Sequence, residues 1–430
     1  MHKSLTILSL ATLVLLLGAC CKNKQTEQAA SLSYQNLDHE PTAAEIADQN
    51  NELGFKLWQT LDKEEQNLFY SPYSINTAMG MAYTGARGNT ANEMAQSLGY
   101  QYSPQQQHRV FAASIAHMNE VKKREFAELH VANALFNAES NLPRLIKTFP
   151  ETLQQSFGSE LFHLDFSQAA KTADFINAWV EKRTNDRIKD IVSERQIADS
   201  NDGLVLVNSI YFKSLWSSPF LRKSTFEDKF YTTSSRAEDS YIMLPMMRQI
   251  GNFTYAEIPG GQLLEMPFED PELSMIFMIP DEIEDYDKTL SKANWNSWLE
   301  YLKRPRRVEV FLPKFRLEQT LDALPETFKA MGMHEAFSAS RADFSGILSP
   351  DGENLYISDI VHKAFLEVTE EGTEAAAATQ VGFSKLSIEP ESKEPPVFRA
   401  DRPFYCMIIH KAANEILFMG KVLEPALIQD

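Results

Sequence analysis

The chain has 430 residues, 43% of them hydrophobic, and a formal net charge of −18 at pH 7. This hydrophobic content is sufficient for one large domain or two ordinary ones. The acidic balance argues against a nucleic-acid partner, because such a partner calls for a basic patch. Cys20 and Cys21 lie together near the N-terminus, which leaves Cys406 alone in the body of the chain and excludes a disulfide framework or a cysteine metal site there.

The first residues have the features of a targeting segment. A short basic start at Met1–Lys3 precedes an apolar run from Leu5 to Leu17, which is too short for a comfortable membrane span. The run ends in Leu17-Gly18-Ala19-Cys20, which resembles the lipobox of bacterial lipoproteins. The resemblance implies a signal peptide at residues 1–19 and an acylated Cys20 that anchors the protein without a spanning helix. An ordinary secretory signal with an incidental cysteine is the alternative.

The polar residues 20–41 are predicted to form a flexible tether, and residues 42–430 are predicted to form a single domain. The lipoprotein interpretation predicts a secreted protein at the outer membrane or cell surface, with the periplasmic face as the alternative orientation. Cys21 stands where an aspartate would favour retention at the inner membrane, so the sequence disfavours that location.

Helical periodicity dominates the chain before residue 200. From Thr42 onwards apolar residues fall near one face of a helix, and a second helical pattern runs from Ala173 to Ile191. The apolar positions of the first pattern are Ile46, Leu53, Leu57, Trp58 and Leu61.

Strand-like runs concentrate in the second half of the chain. Leu204–Phe212 is nearly all apolar and predicts a buried strand, in which the amide of Asn208 needs hydrogen-bond partners. Helices first and strands later favour an α+β fold with segregated elements. The further predicted strands are Ser274–Pro280, Val308–Pro313 and a terminal hairpin of Phe404–Ile409 and Ile416–Gly420, with its turn at Ala413-Asn414.

The stretch at residues 367–396 has a pattern that local propensity does not explain. Four alanines flanked by glutamates favour a helix, but Gly372 and Gly382 interrupt it and no apolar stripe would dock it. Alternate residues instead form a small or apolar face, typical of a strand with one buried side. This face consists of Thr373, Ala375, Ala377, Thr379, Val381 and Phe383. A disordered linker is the alternative interpretation.

Common catalytic signatures are missing from the chain. It has no G-x-S-x-G nucleophile elbow, no H-E-x-x-H zinc motif and no C-x-x-C pair. A Ser/His/Asp triad need not be local in sequence, but no motif supports one. A hydrolase is therefore the least favoured class of function.

Seven stretches in order resemble one family. Asn67–Ile75 reads N-L-F-Y-S-P-Y-S-I and resembles the N-x-F-x-S-P-x-S-I motif of the serpins, the serine-protease-inhibitor fold. The resemblance covers roughly residues 45–425. Its other stretches are Thr84–Thr90, Leu206–Trp216, Leu312–Phe315, Ile360–Ala364, Arg402–Phe404 and Phe418–Val422.

The resemblance implies an α+β fold of three β-sheets surrounded by about eight to nine helices, with a long exposed reactive loop at about residues 367–396. It also implies a mechanism in which a target protease cleaves the loop and is acylated on its own serine or cysteine. The loop then inserts as a new strand in the central sheet and traps the protease. The protein would be a monomer and no enzyme, without cofactor or metal. The implied hinge consists of Glu370, Glu371, Gly372, Thr373, Glu374, Ala375, Ala376, Ala377, Ala378 and Thr379.

The family's spacing from Glu370 implies cleavage between Leu386 and Ser387. Leucine at this position implies an elastase-, chymotrypsin- or subtilisin-like target. Lys385 would admit a trypsin-like enzyme one residue earlier, and Phe383 is a third option. Residues 388–396 are several residues longer than the family pattern, and counting backwards from their end would place the bond near Ser392-Lys393.

Ser71, Ser74, Asn208 and His362 match positions where the family has a polar cluster beneath the central sheet, at the point where it opens. Such a cluster offers exchangeable hydrogen bonds where strands must part. Plain satisfaction of buried polar groups is the alternative. Trp216 matches a residue near the entry point of the loop, with a core tryptophan as the alternative.

The resemblance leaves an inhibitory and a non-inhibitory function open. Inhibitory serpins keep small residues in the hinge, and Thr373–Thr379 keep them here. A non-inhibitory serpin that serves as a binding or carrier module is the alternative. No basic helix face stands out for a glycosaminoglycan activator.

Overall fold

The computed structural model describes residues 33–61, 66–122, 127–200, 202–237, 239–373 and 394–428. Its α-helices, named α1 to α10 in chain order, are Ala43–Leu61, Pro72–Gly85, Gly88–Leu98, Pro104–Lys122, Thr148–Phe157, Ala169–Arg183, Glu194–Asp199, Ile283–Thr289, Lys292–Leu299 and Leu324–Ala330. Short 3-10 helices are Glu139–Arg144, Phe166–Gln168, Arg222–Ser224 and Glu335–Phe337. The strands, named β1 to β15, are Leu68–Tyr70, Ala127–Ala138, Glu160–Leu164, Leu204–Leu215, Phe226–Tyr231, Tyr241–Ile258, Gly261–Pro267, Leu273–Pro280, Pro305–Pro313, Phe315–Leu321, Ile357–Val368, Gly372–Thr373, Val397–Arg399, Phe404–His410 and Glu415–Val422.

The described residues contain ten α-helices, more than the eight or nine expected. The helices α7, α8 and α10 have only six or seven residues each, too few for apolar periodicity to identify them. The first helix buries Ile46, Leu53, Leu57 and Trp58, as its pattern predicts. No helix in the described part of the chain is long and apolar enough to cross a membrane.

The helix predicted from Ala173 to Ile191 is wrong at its C-terminal end. The observed α6 ends at Arg183, and Asn185 and Asp186 adopt positive φ angles of 51° and 61°. Residues in the left-handed region cannot continue a right-handed helix. Ile188 belongs to the predicted helical pattern, but it lies in this irregular segment and is buried there.

In the described residues the central sheet has six strands, in the order β10–β11–β12–β4–β2–β3. The parallel strands β4 and β11 pair directly from Leu204 opposite Ile357 to Tyr211 opposite Phe365. Almost the whole of β4 is buried, as the apolar run predicts. The strands β2 and β3 come from the first half of the chain, where the sequence predicts mainly helices. The alanines and polar residues of β2 do not favour a strand locally, so its pairing with β4 decides its conformation.

The remaining strands form two sheets that share the long strand β6. This strand has 18 residues, and its first part pairs with β5 and β9 while its last residues pair with β7. One sheet is therefore β5–β6–β9–β13, and the other is β6–β7–β8–β14–β15–β1. Together with the central sheet, they confirm the expected three-sheet α+β architecture.

A hydrophobic core joins the central sheet to the β6–β7–β8–β14–β15–β1 sheet. It contains Phe212 of β4, Leu366 of β11, Phe277 of β8 and Phe418 of β15. The terminal hairpin β14–β15 is confirmed, and Asn414 closes its turn with a φ of 52°, a conformation that asparagine tolerates well. This core holds β4 and β11 in place from one side, and so positions the site described next.

Candidate functional site

The candidate site lies at one end of the central sheet, where β4 and β11 separate. Tyr211 and Phe365 are the last residues of these two strands to pair directly. Beyond them the short strand β12, formed by Gly372 and Thr373, lies in the gap and pairs antiparallel with both strands. The third and fourth residues of the expected hinge therefore already lie inside the sheet, in the position that a further strand would take.

Gly372 and Thr373 fit this gap closely. The Thr373 side chain is fully buried, and its Oγ1 accepts from Ser214 N over 2.7 Å and donates to the Ser214 carbonyl over 3.2 Å. A Cβ atom at Gly372 would lie 2.1 Å from Ser214 O and 2.7 Å from Leu215 Cα. Only glycine fits at position 372 while the backbone stays there. The gap thus admits small residues, in agreement with the small face predicted for this stretch.

Two glutamates hold the backbone just before β12. Thr225 Oγ1 donates to Glu370 Oε1 over 2.8 Å, and Lys314 Nζ lies 3.3 Å from Glu370 Oε2. Burial by itself would raise the pKa of Glu370. Hydrogen bonds from its own backbone N–H and from Thr225, together with the charge of Lys314, outweigh this effect, so the pKa lies below its usual value. The Glu371 carboxylate lies 2.6 Å from the guanidinium of Arg222. The ionised Glu370 therefore ties the start of the hinge to two other segments of the fold.

Trp216 lies beneath the start of the hinge. Its indole Nε1 donates to the Thr369 carbonyl over 3.1 Å, and its backbone N–H donates to the Glu371 carbonyl over 2.9 Å. The indole ring stacks on Phe268 with ring centroids 4.7 Å apart. Trp216 is thus both a buried core residue and a hydrogen-bond partner of the segment that enters the gap.

A row of polar side chains crosses the central sheet further along the seam between β4 and β11. Asn208 of β4 lies opposite Asn133 of β2 and opposite His362 of β11. Its amide nitrogen donates to Asn133 Oδ1 and, over 3.0 Å, to the Ser74 carbonyl. Its Oδ1 accepts a hydrogen bond from His362 Nδ1. Asn208 and His362 are fully buried, so this row links three neighbouring strands inside the molecule.

The hydrogen bonds determine the tautomer of His362. Its Nε2 accepts from the Ser71 backbone N–H over 3.2 Å, and the ring proton therefore lies on Nδ1, which donates to Asn208. Ser71 also caps α2, because its Oγ accepts from the Ser74 N–H over 3.1 Å. Complete burial lowers the pKa of His362 to about 3, so the ring is neutral at pH 7. The four cluster residues predicted from sequence thus form one connected network.

Acid is expected to destabilise the closed sheet through His362. Because burial lowers its folded pKa from 6.5 to about 3, the stabilisation from the neutral ring is complete above pH 6.5 and is lost as the pH falls from 6.5 towards 3. The melting temperature should therefore fall more between pH 7 and pH 4.5 in the parent protein than in His362→Gln, whose amide hydrogen-bonds but does not titrate. Scanning calorimetry measures both falls, and equal falls would contradict this role.

Part of the predicted site lies outside the described residues, so the roles of those residues stay predictions. They are Cys20, Glu374, Ala375, Ala376, Ala377, Ala378, Thr379, Phe383, Lys385, Leu386 and Ser387. Within the described ranges, no group of three or more histidine, cysteine, aspartate or glutamate side chains could hold a metal ion.

Several residues of the site were not identified by sequence reasoning. Asn133 and Thr225 enter the site through contacts with distant segments, and nothing in their local sequence marks them. Thr369 lies in the predicted loop stretch, but its hydrogen bond with Trp216 is not visible in the sequence. Lys314 is different, because it lies within Leu312–Phe315, one of the stretches that resembles the family. That position could have been singled out as a partner for a hinge carboxylate.

Comparison with known proteins agrees with this architecture. The family model described as "Serpin (serine protease inhibitor)" matches residues 48–425. An uncharacterized serpin-like protein of Thermococcus kodakarensis is 34% identical, over 98% of this chain and 99% of the relative. The structure of native protease nexin-1 with heparin aligns with a TM-score of 0.78 at 28% identity, over 89% of this chain and 100% of the other. Human thyroxine-binding globulin complexed with thyroxine aligns with a TM-score of 0.78 at 27% identity, over 90% and 100%.

The three-sheet α+β fold, the separated strands β4 and β11 and the family match together define the class of this protein. This chain belongs to the serpin family, as the sequence motifs predict. Serpins are mostly protease inhibitors that interact with target proteases, and they are not catalysts in that role. The family also includes non-inhibitory members such as thyroxine-binding globulin, so membership alone does not assign an inhibitory mechanism.

Proposed function

We propose that this serpin inhibits a serine or cysteine protease by trapping it as an acyl-enzyme. The protease attacks the reactive bond, its catalytic oxygen or sulfur bonds to the carbonyl carbon, and the amine of the following residue leaves. The loop then inserts between β4 and β11 before water hydrolyses the acyl bond. The observation that carries the proposal is the position of Gly372 and Thr373, which occupy the gap between those two strands.

The pairing of β4 and β11 supports insertion energetically. These strands pair in parallel at eight positions, and a loop strand between them would replace each pair with two antiparallel contacts. Antiparallel pairing is slightly more stable per residue than parallel pairing. The bond between Asn208 and His362 crosses the same seam, and a neutral hydrogen bond contributes only about 1 kcal/mol net, so it can be exchanged.

The proposed reactive bond lies between Leu386 and Ser387, and the proposed targets are elastase-, chymotrypsin- or subtilisin-like proteases. A trypsin-like protease that cleaves after Lys385 is the alternative. The composition of the loop supports insertion, because neither a charge nor a proline occurs on its small face from Thr373 to Phe383. In this proposal the protein acts as a monomer, and as an inhibitor rather than as a catalyst.

The test mixes the protein lacking residues 1–20 with elastase, chymotrypsin, subtilisin and trypsin in turn. Trapping gives a covalent band at the summed mass on a denaturing gel and a C-terminal peptide that begins at Ser387. A peptide that begins at Leu386 moves the bond to Lys385. If every protease cleaves the loop without an adduct, and cleavage adds no thermal stability, inhibition is contradicted and the binding or carrier function is favoured.

The N-terminal sequence supports the further proposal that the protein is a lipoprotein of the outer membrane or cell surface, acylated at Cys20. In a bacterial host fed labelled palmitate, Cys20→Ser is expected to lose the label and to move from the membrane fraction to the soluble fraction. Cys21→Ser is the matched control and should keep both the label and the membrane location. Undiminished labelling of Cys20→Ser would contradict the lipobox interpretation.

A further inference from the structure

The exposed side of the β5–β6–β9–β13 sheet, which we call the small-sheet face, is rich in apolar side chains. Of the ten large hydrophobic residues that are exposed in the described part of the chain, four lie on or beside it. Single exposed apolar residues are normal, but a group of them marks an interaction site. The four are Leu221, Phe226, Ile250 and Val397, each 43–54% exposed.

The register of the strands makes the small-sheet face continuous. Ile250 of β6 and Val397 of β13 both lie opposite Glu309 of β9, so the three side chains occupy one level of the sheet. Phe226 of β5 packs edge-on against Phe311 of β9, with ring centroids 6.4 Å apart. The apolar side chains therefore extend across all four strands.

Two arginines lie on the aromatic centre of the small-sheet face. The guanidinium carbons of Arg248 and Arg399 are 5.8 Å and 4.3 Å from the centroid of Phe311. Arg248 pairs with Glu309 at 2.6 Å, and Arg399 pairs with Asp401 at 3.0 Å. Aromatic residues and arginine are enriched among the residues that contribute most to binding in protein interfaces. The small-sheet face has this composition.

A run of cations borders the small-sheet face where β9 begins. Residues 303–307 read Lys-Arg-Pro-Arg-Arg, and all five are exposed. Arg306 lies 3.9 Å from Glu257, whereas the other three cations form no ion pair with any described residue. On a chain with a net charge of −18, this run is a local reversal of sign that attracts an acidic surface.

The small-sheet face is continuous with the C-terminal end of the reactive loop. The strand β13 begins at Val397, and the Glu309 N–H donates to the Pro396 carbonyl over 2.9 Å. Val397 follows Ser387 by ten positions, a distance of at most about 35 Å for an extended chain. A globular protease of roughly 220 residues has a radius of gyration of about 17 Å. A protease bound at Leu386-Ser387 therefore has its body within reach of this face.

We propose that the small-sheet face is a second contact surface for the protease that the reactive loop engages, and that it selects proteases with an apolar patch bordered by acidic residues. The proposal rests on the proposed function, since it concerns the same protease. A polyanionic glycan would use the cations but leave the apolar side chains unexplained. A second copy would present the same cationic border, whereas these cations call for an acidic partner surface.

Three double variants, all at exposed positions, separate this surface from the rest of the molecule. The first removes apolar side chains from the face, the second reverses charge at its border, and the third removes exposed apolar side chains elsewhere as the matched control. They are Phe226→Ser with Ile250→Ser, Arg304→Glu with Arg307→Glu, and Leu142→Ser with Phe175→Ser. Circular dichroism verifies that each variant keeps the parent fold.

The measurement is the second-order rate constant for loop cleavage by elastase, chymotrypsin, subtilisin and trypsin, with an isolated peptide of residues 374–393 as the reference substrate. The probe is the protease with the highest ratio of the rate constant for the intact protein to that for the peptide. The face and border variants are expected to lower its rate constant about tenfold. The border variant should also reduce its dependence on salt, and the control should stay near the parent. Equal rate constants in the parent and all variants would overturn the proposal.

The cleavage rate tests the contact surface separately from the inhibitory mechanism. The cleavage rate can be measured whether or not an adduct forms. Cleavage without an adduct would contradict inhibition, and the rate constants of the variants would still show whether the face contacts the protease. A variant effect that occurs only with dextran sulfate present would assign the face to a polyanion and overturn the proposal. A dimer in sedimentation velocity that Phe226→Ser with Ile250→Ser abolishes would assign the face to a second copy and would also overturn the proposal.

Discussion

Replacing Thr373 with arginine is expected to convert the protein from an inhibitor that traps its protease into a substrate that is cleaved and released. The Thr373 side chain is fully buried between β4 and β11, where its hydroxyl bonds to the Ser214 backbone. A guanidinium at this position would be buried among strands without a partner, at a cost of several kcal/mol. Because insertion begins here, this cost slows its first step, and water then hydrolyses the acyl bond before insertion is complete.

The number of inhibitor molecules consumed per protease inactivated measures this change. We expect it to rise more than about tenfold in Thr373→Arg, since each 1.4 kcal/mol on one of two competing steps changes their ratio tenfold. The rate constant for loop cleavage should stay close to the parent value. Thr373→Ser keeps the hydroxyl and is the matched control. An undiminished covalent band with Thr373→Arg would show that the hinge need not enter the sheet, contrary to the proposed mechanism.

Replacing Asn208 with alanine is expected to lower the free energy of unfolding by about 3 kcal/mol. The Asn208 amide is fully buried and bonds to Asn133, Ser74 and His362 at once. Alanine would leave the His362 N–H and the Asn133 carbonyl oxygen without this partner, and each unsatisfied buried group costs about 1–3 kcal/mol. The side-chain link across the seam of β4 and β11 would be lost at the same time.

Urea unfolding followed by circular dichroism measures the loss of stability. Asn252→Ala, at an exposed asparagine of β6, is the matched control and should change the free energy of unfolding by less than about 0.5 kcal/mol. Strands that part expose unpaired backbone groups that can pair with another chain. Size-exclusion chromatography of Asn208→Ala after mild heating should therefore show oligomers. A variant as stable and as monomeric as the parent would reduce the cluster to ordinary core packing.

Local patterns in the sequence were sufficient for elements with a continuous buried face. The apolar runs of β4 and β8 and the hairpin β14–β15 are found where they were predicted. Burial of a whole strand and the chemistry of a short turn involve neighbouring residues only, so both leave a local signal. The resemblance to the serpins added Ser71, Ser74, Asn208 and His362, which the structure brings into one network.

Elements that depend on distant partners were not predicted. The strand β2 is rich in alanine and polar residues and becomes a strand because β4 lies beside it. Helix α6 ends eight residues before its apolar pattern does, at a turn that the positions of isoleucines do not reveal. The division of the fifteen strands in the described residues among three sheets depends on β6, whose two parts pair with different neighbours.

The motifs of the sequence are sufficient to assign this chain to the serpins, to identify the stretch of small residues after Gly372 and to predict that Asn208 is a buried amide. The separation of β4 and β11 at Gly372 and the row formed by Asn133, Asn208 and His362 depend on contacts between distant segments. Asn133 and Asn208 are 75 positions apart, and Asn208 and His362 are 154 apart. Such partners meet only when whole apolar faces are buried together, because the free energy that selects the register comes from that burial and not from the residues beside each partner in the chain.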